Sequence, residues 1–133
     1  MTAVIASMAA GFTPAAAQDV AEANPLLTGD LTRGERLYRQ RCAACHALDA
    51  NRAGPSHRGV VGREAGTVSG YRYTAALRDS GLIWTPEALD EWLANPPAMV
   101  PGTSMGVRIP NAQARADIIT WLAEQTDPPS ETD

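Results

Sequence analysis

Cys42-Ala43-Ala44-Cys45-His46 is the stretch on which the reading of this 133-residue chain turns. Two thiols two residues apart can each add to one vinyl group of a single haem. The histidine that follows can then present a neutral imidazole nitrogen to the iron. Two rival chemistries fit less well. A thioredoxin-like pair needs a βαβ setting, whereas these flanks read as helix on one side and glycine-rich loop on the other. A zinc site built from Cys42, Cys45, His46 and His57 has suitable donor types, but His46 adjoins Cys45 and is poorly spaced to join the same tetrahedron. One covalently bound haem c is therefore the expected cofactor, with Cys42 and Cys45 as its anchors and His46 as an iron ligand.

The neighbouring segments predict helices separated by long loops. Leu31, Gly34, Leu37 and Tyr38 recur at helical spacing, so a helix is expected from Asp30 or Thr32 into Cys42. Thr32 and Glu35 have the spacing of a capping box. Residues 49–70 are rich in glycine and contain Pro55, which predicts loop. A loop of that length in a compact domain usually wraps something functional. A short helix is expected over 74–80, closed by Gly81. Thr85-Pro86-Glu87 starts another, with the threonine as cap and proline at the first helical position. Asn95-Pro96-Pro97 should end it. A second loop spans 99–110. Asn111 then caps a last helix in which Ala114, Ile118, Trp121 and Leu122 form one buried stripe. No strand alternation is evident, so the fold class is all-α.

A second axial ligand must come from Met99, Met105 or His57. Met105 is preferred. It lies in Pro101-Gly102-Thr103-Ser104-Met105, a tight turn that can hold a thioether still, with Thr103 in support. A thioether favours Fe(II) and raises the potential.

Composition sets further bounds. The chain is 44% hydrophobic but only 5% aromatic, so a buried apolar cofactor would help to fill a thin core. The net charge of −4 argues against a nucleic-acid partner. All eleven cationic side chains are arginine, so any basic docking patch must be built from arginine. Residues 1–17 are expected to be an export signal. Ala3–Phe12 is apolar and Ala15-Ala16-Ala17 offers a small-x-small cleavage site, although no basic residue precedes the apolar run. That run is too short to span a bilayer. The expected location is the periplasm, without stable membrane insertion. Residues 18–29 read as a flexible lead-in, and the acidic, proline-containing tail 127–133 should fray.

The chain resembles class I cytochrome c, the soluble bacterial and mitochondrial type, over residues 34–125. The resemblance is carried by Gly34-Glu35-Arg36-Leu37-Tyr38, the cysteine motif, Gly54-Pro55, Gly59-Val60-Val61-Gly62-Arg63 and Gly70-Tyr71-Arg72-Tyr73-Thr74. It continues through Gly81-Leu82-Ile83-Trp84, Pro101-Gly102-Thr103-Ser104-Met105 and the segment Arg115 to Leu122. It implies a cytochrome c domain over 30–126, with first and last helices crossing where Gly34 and Tyr38 meet Trp121, and loops wrapping one haem. It implies that the Pro55 carbonyl fixes the tautomer of His46 and that Arg63, Tyr71, Tyr73, Trp84 and Thr103 surround the haem propionates. Buried propionates require such donors.

Some positions depart from the family pattern. Leu77, Trp92 and Val107 stand where many relatives have asparagine, tyrosine and an aromatic residue. Pro97 and Ser104 replace docking lysines. His57 stands where an apolar residue is common and reads as a solvated loop histidine. The function implied is a monomeric single-haem electron carrier and not an enzyme, because a six-coordinate iron leaves no open site. Its partners would be transient redox proteins: a reductase or dehydrogenase as donor, and an oxidase, reductase or reaction centre as acceptor. The alternatives are a haem subunit or sensor module of a larger complex, or a peroxidase-like protein if Met105 is displaced.

Overall fold

The computed structural model describes residues 23–126 together with Gly11. The remainder of the expected export signal, residues 18–22 of the expected lead-in and the tail 127–133 lie outside the described residues. Five helices follow one another: α1 (Leu31–Arg41), α2 (Ala75–Arg78), α3 (Pro86–Ala94), α4 (Pro96–Met99) and α5 (Ala112–Glu124). Among the described residues there is no strand, only one isolated antiparallel bridge between Glu64 and Ile83. The expected all-α class with long loops is what the chain adopts.

Helices α1 and α5 cross at Gly34. A Cβ built there would lie 2.1 Å from the Asp117 carbonyl oxygen and 2.9 Å from Trp121 Cβ, so only a hydrogen at this position allows the two backbones to approach. One turn on, Tyr38 packs against Trp121 with ring centroids 4.8 Å apart. Helix α5 is buried on more than one stripe. Ile118 and Ile119 are wholly enclosed, and Ala116, Asp117, Thr120 and Leu122 are buried with them. The extra burial arises because α1, α3 and a 3-10 turn at Pro25–Leu27 all pack on this helix.

The cap of α1 is Asp30, not Thr32. The Asp30 carboxylate accepts the Arg33 N–H at 2.7 Å, and its own N–H donates to Asp117 Oδ1 at 2.8 Å. Thr32 therefore lies inside the helix. Glu35 pairs instead with Arg39 one turn on, at 2.5 Å. The segment 23–29, expected as an unpatterned lead-in, is tied down by a polar side chain of α5. Thr120 Oγ1 donates to the Leu26 carbonyl and accepts from the Gly29 N–H, at 3.0 and 2.9 Å. The proline pair also does more than end α3. Pro96 opens the single turn α4, and Asn95 caps it by accepting from the Ala98 N–H.

Asp117 is completely buried, yet fully partnered: it accepts from the Asp30 N–H, Arg33 Nε and Gln113 Nε2. Burial opposes its ionisation, but the Arg33 guanidinium and these hydrogen bonds hold its pKa below the usual carboxylate value. Because the carboxyl titrates lower in the fold than in the unfolded chain (about 3.9), its stabilisation is complete above that value. It is lost as pH falls through the folded pKa. Asp117→Asn is expected to cost about 2 kcal/mol at pH 7, and the gap from wild type should narrow below about pH 4. Thermal unfolding followed against pH checks this; a gap that widens in acid would refute it.

Candidate haem site

The loop after α1 is wound so that both cysteines and the histidine reach one cavity. Cys42 caps the helix, with its N–H bonded to the Tyr38 carbonyl at 2.8 Å. The N–H groups of Cys45 and His46 then both return to the Cys42 carbonyl, at 3.1 and 2.9 Å. This turn brings Cys42, Cys45 and His46 to the wall of a cavity of about 310 Å³. The two cysteines are not joined in a disulfide, so both sulfurs are available for attachment.

The ring of His46 is set on several sides. Its Nδ1 lies 2.8 Å from the Pro55 carbonyl oxygen, the contact implied by the family resemblance. Burial lowers the His46 pKa, while the bond to Pro55 acts in the opposite sense. In the neutral ring the Nδ1–H donates to Pro55, and the Nε2 lone pair is left free for a metal. Gly54 lies against the same ring: a Cβ there would come within 2.1 Å of His46 Cε1. Sequence reasoning noted the Gly54-Pro55 pair but gave a role to the proline alone.

His57 is not a solvated loop residue. It lines the cavity, and its ring stacks on His46 with centroids 3.9 Å apart and planes 19° apart. Its Nδ1 shares a hydrogen bond of 2.9 Å with the Tyr38 hydroxyl. Burial, then the neighbouring His46 and the Arg63 cation, hold its pKa well below the usual histidine value. The contact depends on Tyr38, nineteen residues back, so no local pattern announces it.

Met105 lines the same cavity, and Met99, held in α4, is not among its lining residues. The turn before Met105 is closed by Thr103 N–H to Val100 O at 3.1 Å, with Gly102 at φ 92°. Thr103 Oγ1 accepts the Met105 N–H at 3.4 Å. Beyond it, Arg115 fastens the segment by donating to the carbonyls of Ile109 and Pro110, both at 2.9 Å, while pairing with Asp90 at 2.7 Å.

The five expected propionate neighbours, Arg63, Tyr71, Tyr73, Trp84 and Thr103, all line the cavity, as does Pro55. Some of their polar atoms are engaged with the loop itself. Arg63 donates to the Ser56 and Arg58 carbonyls, and the Tyr71 hydroxyl donates to Ala53 O at 2.7 Å. Tyr73 Oη accepts the Val68 N–H, which leaves its own proton to donate.

The lining of the cavity suits a haem c in its chemistry. Val60, Leu89, Leu93, Ile118 and Leu122 give it apolar walls. Two thiols, an imidazole and a thioether line it, donor types that could attach and ligate a haem. Among the described residues, no group of three or more His, Cys, Asp and Glu side chains is disposed to hold a metal ion, so the zinc alternative lacks a site.

Comparison with known proteins agrees. The Cytochrome c family profile matches residues 31–126. The chain is 44% identical to cytochrome c 2.1 of Caenorhabditis elegans over 97 residues, 71% of this chain and 87% of that one. It is 44% identical over 98 residues to the cytochrome c-type cyt cy of Rhodobacter capsulatus, covering 72% of this chain and 49% of the relative. The solved structure of cytochrome cH from Methylobacterium extorquens superposes with a TM-score of 0.69 at 41% identity, over 72% of this chain and 99% of that one. With fold, cavity and relatives in agreement, the chain belongs to the cytochrome c family and carries covalently bound haem c as an electron carrier.

Proposed function

We propose that the protein is a monomeric periplasmic carrier of single electrons, that its haem iron is held by His46 and Met105, and that it is not an enzyme. The observation that carries this reading is the convergence of His46 and Met105 on the cavity that also receives Cys42 and Cys45, while Met99 lies outside it. When bound, the haem supplies reversible one-electron exchange between Fe(II) and Fe(III). The chain's own groups do the rest. His46 offers Nε2 because Pro55 holds the proton on Nδ1. Met105 would offer a sulfur held by the Thr103 turn, and an iron held by both His46 and Met105 would leave no open position for a substrate. The apolar walls would keep water from a bound haem. Arg63, Tyr71, Tyr73, Trp84 and Thr103 supply donors for the propionates, Tyr73 with its uncommitted hydroxyl proton in particular.

Partners would meet the cavity rim near Arg41 and residues 104–107, where Val107 is 38% exposed. Docking there is transient and salt-sensitive, because the surrounding charges are solvated. Residues 1–17 as an export signal support the periplasmic assignment. Among the described residues no helix is long and apolar enough to cross a membrane.

Visible spectroscopy of the purified holoprotein tests the ligand set. The expected ferric spectrum is low-spin, with the weak red-edge band of a thioether-ligated iron. A high-spin spectrum at neutral pH would rule the reading out.

A further inference from the structure

We propose that His57 is a positioning residue for the axial imidazole: the Tyr38 hydroxyl holds the His57 ring against His46 and so fixes the rotational setting of the iron ligand. This rests on the reading of His46 as a ligand.

The bond from Nδ1 to Pro55 anchors one atom of the His46 ring and Gly54 lies against it, but neither offers a flat partner that would set its plane, which leaves some freedom to rock. A near-parallel ring 3.9 Å away removes this freedom. The His57 ring can serve only if it is itself held, and it is held at both ends. Its backbone is pinned by His57 N–H to Ala47 O and by Val60 N–H to His57 O, each at 3.0 Å. Its side chain is pinned by the 2.9 Å bond to Tyr38. Tyr38 in turn lies on α1, four residues before Cys42, with its ring against Trp121 of α5. The setting of the His46 ring is thereby coupled to the helix crossing.

An aliphatic side chain at position 57 could fill the same space, but it would leave the buried phenol without this partner. The histidine satisfies that hydroxyl and offers a flat face to the ligand. The plane of an axial imidazole governs its orbital overlap with the iron, so a group that fixes the plane tunes the metal without touching it.

The test uses the holoprotein as wild type, Tyr38→Phe, His57→Leu and the double variant. Tyr38→Phe keeps the ring on Trp121 and removes only the hydroxyl. Two readouts are taken: the hyperfine-shifted proton resonances of the His46 ring in the ferric protein, and the ferrous-to-ferric ratio at a fixed ambient potential. Both single variants are expected to move the same resonances and to change the ratio by about twofold or more. The double variant should go no further than His57→Leu alone, because the two groups act as one unit. Should His57→Leu fail to accumulate with haem, Tyr38→Phe decides by itself. The proposal is overturned if Tyr38→Phe leaves resonances and ratio at their wild-type values, whatever happens to its thermal stability, or if the two effects simply add. Failure of the ligand reading would appear separately, as a wild-type spectrum without shifted His46 ring protons.

Discussion

Replacing Met105 with alanine is expected to convert the low-spin ferric protein to a high-spin or water-ligated form and to let the ferrous protein bind carbon monoxide rapidly. The sulfur at this position is held by a short turn, Val100 to Thr103, and by the Thr103 hydroxyl on the Met105 N–H. Removing it leaves the turn in place and takes away only the donor. The potential should fall by on the order of 0.1–0.3 V, a fraction of the about 0.8 V that axial ligands span. The sign follows from the preference of a thioether for Fe(II). Potentiometry and carbon monoxide mixing check both parts. Met99→Ala is the matched control, expected to leave the spectrum and potential unchanged because Met99 does not line the cavity. Had the two variants exchanged phenotypes, the ligand assignment would move to Met99.

Gly34→Ala is expected to destabilise the protein by more than about 3 kcal/mol. On an exposed helix face this change would stabilise by about 1 kcal/mol, since alanine is the better helix former. Here the new methyl would meet the Asp117 carbonyl oxygen at 2.1 Å and carbon at 2.8 Å. Neither atom belongs to a flexible side chain, so relief requires α1 and α5 to separate. Separation would also loosen the bonds from Asp117 to Arg33 and the Asp30 N–H and part Tyr38 from Trp121. Guanidinium unfolding of the holoprotein measures the loss; an increase in stability would show that the crossing is slack.

Local chemistry made much of this molecule legible in the sequence. The Cys42 to His46 motif implies the cofactor because two thiols and an imidazole at that spacing serve one porphyrin. Thr85 and Asn111 act as the expected caps, accepting from the Ala88 and Ala114 N–H groups at 3.1 and 2.9 Å. Those bonds span three residues, and a short window contains both partners. The misreadings share a different cause. Asp30 rather than Thr32 caps α1 because Asp117, 87 residues away, takes the Asp30 N–H. The segment before α1 is held because Thr120 reaches back over 94 residues to Leu26. His57 is turned toward the cavity because the Tyr38 hydroxyl bonds it and the His46 ring stacks on it. Each is a polar contact made only once the chain has folded. Of the candidate site, the grouping of Cys42, Cys45, His46 and Met105 around one cavity was readable from motif and turn chemistry. The stacked histidine and the Gly54 contact were not, because both are facts about the packing of one ring.

The crossing of α1 and α5 also has a meaning for how the chain folds. Residues 42–111 lie between the two helices, and drawing together the ends of a loop that long costs on the order of 4 kcal/mol in chain entropy. Gly34 and Asp117 cannot meet until that loop has closed. Cys42 sits at the last turn of α1, while Ile118 and Leu122 of α5 and Leu89 and Leu93 of α3 face the same cavity. A rigid group fastened to Cys42 carries its apolar faces directly to partners far along the chain. A haem attached at Cys42 would thus double as a topological staple between the first helix and elements far along the chain.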